Sequence, residues 1–170
     1  MNKELWLLRH GKAEQNAQLT DYHRRLTTKG QEAAVKVGKW LYHEQLQPDI
    51  ILSSPALRAY ETATLVLSAL SNPAIPLHTD NRLYFQGVDA IQSALKATLQ
   101  PTILRVLLVG HNPDFENLLQ VLLGAADLPD TLHNGIATAT LIRLAMPNTW
   151  PRYATSEAAL LSVYHGNTHC

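Results

Sequence analysis

The spacing of apolar positions changes along this chain, and the changes mark out alternating strands and helices. Short, nearly continuous apolar runs occur at Glu4–Arg9, Ile50–Ser53 and Arg105–Val109. Runs of that length with few polar interruptions are expected of strands covered on both faces. Between the first two the spacing lengthens: Ala33, Val37, Trp40 and Leu41 recur at three- and four-residue intervals, which predicts a helix from about Thr28 to Leu46. Ser54 followed by Pro55 reads as a helix cap with proline in the first turn, opening a helix to about Leu70. Asn112 with Pro113 repeats the signature and predicts a helix to about Leu123. Val88–Thr98 reads as a helix and Ser71–Asp80 as a loop with a short strand at its end. Two late strands are expected near Ala137–Leu144 and Ala158–Tyr164, with Trp150 in their connection.

Strands alternating with helices imply an α/β domain with a largely parallel sheet. At 170 residues, with no repeat, low-complexity tract or long linker, a single domain over 1–170 is expected. Apolar residues make up 46% and charged residues 16%, an ordinary globular balance. Lys plus Arg (14) equals Asp plus Glu (14), so no global field draws the chain to nucleic acid or an anionic membrane. Any anion it binds must be held by a local cluster of cations. Cys170 is the one cysteine, which leaves no intrachain disulfide framework and fits a reducing compartment. The apolar run Leu5–Leu8 is too short for a signal-peptide core. A cytoplasmic protein, monomeric by default, is the plain expectation.

The chemistry collects in three polar clusters, each at the C-terminal end of a predicted strand, where open α/β sheets bind ligands. They are Arg9-His10-Gly11, the segment Ser53-Ser54-Pro55-Ala56-Leu57-Arg58, and Gly110-His111-Asn112-Pro113. Gly11 is expected to let the backbone turn sharply near a ligand. Two arginines, two histidines and two helix starts at one sheet edge describe a site for a small doubly charged oxyanion, because the arginine fork bonds two oxygens at once. Neighbouring arginines would keep an imidazole neutral near pH 7, and a neutral imidazole attacks phosphorus. The expected cycle is two displacements: His10 takes a phosphoryl group, and water then hydrolyses the phosphohistidine. Arg9, Arg58 and His111 would stabilise the charge, with no metal or cofactor.

The segments LLRHGKAEQN, SSPALRAYETA and VGHNP resemble the three signature motifs of the histidine phosphatase superfamily, also called phosphoglycerate mutase-like, and DYHRRLTTKGQEA resembles the stretch after the first motif. The short chain and the GHNP form look most like SixA-type phosphohistidine phosphatases. The resemblance implies a three-layer α/β/α fold, with His10 as nucleophile and Arg9, Arg58 and His111 completing the phosphate pocket. Asn16 matches a position that often contacts phosphate. It also implies a phosphorylated partner: a phosphohistidine-bearing signalling protein such as a histidine phosphotransfer domain, or a small phosphorylated molecule.

One departure stands out. Family members often carry Glu just after a Leu-Tyr pair as general acid, whereas here Leu83-Tyr84 is followed by Phe85. Asp89 and Glu14 are the candidate substitutes. Lacking an acid costs roughly 10²–10⁴ in rate for a poor alkoxide leaving group and less for phosphohistidine, which favours a phosphohistidine substrate. The alternatives are a small-molecule phosphomonoesterase and a catalytically weak phosphate- or phosphoprotein-binding module. Ser53 and Ser54 lack the Gly-x-Ser-x-Gly elbow of a serine hydrolase. Arg24 and Arg25 either line the pocket mouth or form a solvated pair. His23, His43, His78, His133, His165 and His169 read as surface residues, including the loose His165, His169, Cys170 spacing.

Overall fold

A computed structural model describes residues 3–124, 132, 134–147 and 158–167; Trp150, His133, His169 and Cys170 lie outside these residues. Six strands form one sheet: β1 (Lys3–Arg9), β2 (Ile50–Ser53), β3 (Leu77–Thr79), β4 (Arg105–Gly110), β5 (Thr140–Met146) and β6 (Ala159–His165), in the order β3-β2-β4-β1-β5-β6. The first four run parallel, while β5 and β6 add an antiparallel edge beyond β1. The expected α/β sheet is therefore present, parallel through the half that carries the three clusters.

Alternation along each central strand feeds two separate cores. Leu5 and Leu7 of β1, with Leu52, Val106 and Leu108, pack under helices α3 (Val88–Thr98) and α4 (Asp114–Leu123). Trp6 and Leu8, with Ile51, Leu107 and Val109, pack under α1 (Thr28–His43) and α2 (Leu57–Ala69). Helices thus cover both faces of a three-layer α/β/α domain. The apolar runs were continuous because neither face of these strands meets water.

Differences from the sequence expectation are local and have causes. The first helix stops at His43, because Gln45 takes a left-handed conformation (φ 55°) and the Leu46 N–H returns to the Leu41 carbonyl at 2.9 Å. This is a Schellman closure, and Leu46 belongs to its apolar contact instead of to another turn. Ser54 does not cap the second helix, which begins at Leu57; its hydroxyl accepts from Ala56 N–H at 3.3 Å in the preceding turn. Asn112 does not cap α4 either, since its amide is drawn instead to Glu116 and the Ile136 carbonyl. β5 starts at Thr140, three residues later than expected, because Ala139 turns at φ 53° and gives its N–H to the sheet edge.

Candidate active site

β1 ends at Arg9, and the chain leaves the sheet edge as His10-Gly11. His10 N–H donates to the Gly110 carbonyl of β4 at 3.1 Å, while Ala139 N–H reaches the Arg9 and His10 carbonyls at 3.0 and 3.1 Å. The histidine backbone is thereby clamped from both neighbouring strands. Gly11 is required for close approach and not, as expected, for a special turn. A Cβ there would stand 2.6 Å from the Gly30 carbonyl oxygen, and one at Gly30 would collide with the Lys12 carbonyl. The two glycines let the first turn of α1 press against the loop, and Gly11 N–H donates to Thr62 Oγ1 on α2 at 3.0 Å.

These contacts bury the His10 ring and fix its tautomer. Nδ1 lies 2.7 Å from the Gly11 carbonyl oxygen, which can only accept. The proton therefore sits on Nδ1, leaving the lone pair on Nε2. Arg58 Nε donates to that Nε2 at 3.2 Å. Arg58, in the first turn of α2, is 2% exposed. Its Nη2 faces His111 Nδ1 at 3.3 Å. A guanidinium only donates, so His111 carries its proton on Nε2, 2.8 Å from Ser54 Oγ. The two imidazoles stand 5.0 Å apart, centroid to centroid.

Arg9 completes the group from the strand end. Its Nη1 donates to the Ile136 carbonyl, whereas Nε is buried and has no hydrogen-bond partner among the described residues. A buried cationic donor of this kind is suited to an anionic oxygen. Glu116 braces that corner, accepting from Asn112 Nδ2 and from Ile136 N–H at 3.0 Å.

Electrostatics keep both histidines neutral. Burial, first of all, and then Arg58, Arg9 and Arg24 push His10 down to about 4, against the Gly11 hydrogen bond. Burial, His10 and Arg58 lower His111 to about 3. The expected arginine effect has the right sign, but desolvation is the larger cause.

The structure brings Arg9, His10, Arg58 and His111 together and leaves the other candidates outside. Asn16 is exposed, its Oδ1 accepting from Gln18 N–H at 3.0 Å in its own turn. Glu14 is exposed and joined to the protein through its backbone, and Asp89 is exposed in the first turn of α3. In the carboxylate's expected place, Phe85 lies tilted against His111, centroids 4.7 Å apart with 33° between the planes. His23, His43 and His78 are exposed, as expected; His165 is half-buried against Thr140.

Sequence reasoning missed Asp21. Its carboxylate accepts from Arg58 Nη2 at 2.8 Å, Tyr84 OH at 2.9 Å and Arg24 Nη1 at 2.9 Å. Partial burial works against ionisation, yet these hydrogen bonds hold Asp21 at about 2. The signal was present in DYHRR, an acid three residues before an arginine, but nothing local ties it to Arg58. Arg24 also departs from a solvated reading: it is half-buried on Asp21, while Arg25 is exposed.

A model of the histidine phosphatase superfamily (branch 1) matches residues 5–84. The 2,3-bisphosphoglycerate-dependent phosphoglycerate mutase of Corynebacterium jeikeium is 40% identical over 96 residues, covering 55% of this chain and 38% of the mutase. The chain thus spans about two fifths of the length of that curated relative. The solved SixA chain of Agrobacterium tumefaciens superposes with a TM-score of 0.82 at 26% identity, covering 96% of this chain and 98% of that one. The protein histidine phosphatase SixA complexed with tungstate superposes at 0.79 and 21% identity, covering 96% and 97%. Residues 5–84, just under half of the chain, thus match the histidine phosphatase superfamily model, and the chain has the fold of the solved SixA structures.

Proposed function

We propose that this chain is a phosphohistidine phosphatase of the histidine phosphatase superfamily, working through a phosphorylated His10. The observation that carries this reading is the His10 ring. It is neutral, its tautomer is set by the Gly11 carbonyl, and its unprotonated Nε2 accepts from the buried Arg58 guanidinium at 3.2 Å. A tetrahedral dianion placed against Nε2 would meet Arg58, Arg9 and His111 together. That a fold neighbour was solved with tungstate, a tetrahedral oxyanion, agrees with such a site.

In the first step Nε2 bonds to phosphorus as the substrate's P–N bond breaks, and the departing ring keeps that electron pair. Proton delivery at the breaking bond is unnecessary for this substrate. The distal nitrogen of phosphohistidine takes a proton from solvent beforehand, so the ring leaves as neutral imidazole. An alkyl ester has no such second site and needs an acid at the leaving oxygen. Phe85 stands where such an acid would be expected, so the site suits the phosphoramidate better than the ester.

In the second step water attacks phosphorus. His10 leaves neutral because its Nδ1 has kept its proton throughout, donated to the Gly11 carbonyl, and the water proton goes to solvent. The two arginines hold the phosphoryl oxygens in both steps, where prepositioned cations in a dry site act most strongly.

The test is exposure of wild type and His10→Ala, in chelator, to a phosphotransfer domain carrying phosphohistidine, with phosphate release and intact mass followed together. Wild type is expected to release phosphate and gain one phosphoryl group transiently, and the variant to do neither. Hydrolysis of small phosphoesters with no action on phosphohistidine would overturn the substrate assignment and favour a phosphomonoesterase.

A further inference from the structure

The four groups, with His10, Arg58 and His111 buried and Arg9 half-buried, oblige any bound phosphoryl group to carry its substituent outward, past the less buried residues that touch them. Those residues are the exposed Asp21 and Phe85 and the half-buried Tyr84. Asp21 is committed to Arg58, Arg24 and Tyr84 through its carboxylate. Tyr84 lies edge-on to His111 at 5.5 Å and to Tyr22 at 5.3 Å. Phe85 is 45% exposed, lies over His111 at 4.7 Å with 33° between the planes, and has the Arg58 guanidinium carbon 6.0 Å from its centroid.

Phe85 also has a costly conformation. Its φ is 51°, in the left-handed region where bulky residues are rare and Gly, Asn or Asp fit easily. A large apolar ring is thus held half in water on an unfavourable backbone. The turn that holds it is tied down at several points: Tyr84 OH to Asp21 at 2.9 Å, Gly87 N–H to Asp114 Oδ2 at 3.1 Å, and the Gln86 amide to the Asn81 carbonyl at 2.9 Å. Strain that the surroundings enforce at a site mouth points to use there.

We infer that Phe85, backed by His111 and flanked by Tyr84, is the leaving-group platform of the site and selects flat aromatic leaving groups, the imidazole of phosphohistidine foremost. This rests on the phosphohistidine phosphatase reading and specifies how the substrate ring is recognised. A planar ring stacks on Phe85 while its phosphoryl group reaches the arginines; a flexible alkyl chain gains little from that surface.

The experiment compares two phosphoramidates with and without a ring, phosphoimidazole and phosphoramidate itself, so that both substrates break a P–N bond. The ratio of their kcat/KM values is expected to fall about tenfold in Phe85→Ala, the size of one lost aromatic contact, and to return in Phe85→Trp. A ratio that moves less than twofold in Phe85→Ala, or one that Phe85→Leu restores as fully as Phe85→Trp, overturns the platform. If wild type cleaves neither compound, the parent reading itself is wrong, and the inference goes with it.

Discussion

The His10 ring should stay neutral far into acid, and that is measurable without any substrate. Its pKa is lowered from an ordinary 6.5 to about 4, burial being the main cause and Arg58 the nearest cationic one. A shift of that size is worth about 3 kcal/mol of preference for the neutral ring. At pH 5.5 an ordinary histidine is about one tenth neutral, whereas His10 would be nearly all neutral and able to attack. The perturbation is a pH titration of wild type and Arg58→Gln, read by the imidazole NMR signals, with His10→Asn used to assign the resonance. The wild-type midpoint is expected near 4. In Arg58→Gln it should rise but remain below 6.5, because burial outweighs the arginine. A wild-type midpoint between 6 and 7 would refute the reasoning, and so would a variant whose midpoint returns fully to 6.5. The acid limb of kcat/KM cannot replace this measurement, since the substrate phosphoryl group also titrates.

The same shifts act on stability. His10 and His111 both bind protons more weakly when folded, so between about pH 4 and 6.5 the unfolded chain binds more. Stability is therefore full above 6.5 and declines as pH falls, by up to about 1.4 kcal/mol per unit per histidine; urea midpoints that stay flat from pH 6.5 to 4.5 would contradict this. Gly30→Ala drives a Cβ into the Lys12 carbonyl, overpacking that costs about 1–3 kcal/mol. For a chain this long it should lower the melting temperature by roughly 2–12 °C, and an unchanged calorimetric midpoint would show that the loop yields freely. Glu116→Ala releases Asn112 and Ile136 N–H, and through the Ile136 carbonyl loosens Arg9. Misplacement of about 1 Å costs up to about 10²-fold, so kcat/KM should drop at least several-fold while Glu116→Gln, which still accepts, recovers most of it; equal losses in the two variants would argue for a charge effect instead.

Much of this protein is determined locally. The continuous apolar runs of β1, β2 and β4 follow from burial on both faces, and the helical spacing of Ala33, Val37 and Leu41 follows from one buried face. Arg9, His10, Arg58 and His111 are legible because each sits at a strand's C-terminal end or in the segment that follows it, and parallel strands deliver those ends to one edge. Tertiary structure alone decides how those residues meet. The His10 tautomer depends on where the Gly11 carbonyl points, and the neutrality of both imidazoles depends chiefly on burial, a property of the whole fold. Asp21 reaches Arg58 across thirty-seven positions of sequence, and Glu116 reaches Ile136 across twenty. Ser54 and Asn112 show the limit from the other side: each suits a helix cap, and each was taken by a stronger partner that only folding brings near. Short-range pattern fixes which groups stand at the sheet edge; their protonation and partners depend on desolvation and long-range contact, which no local window contains.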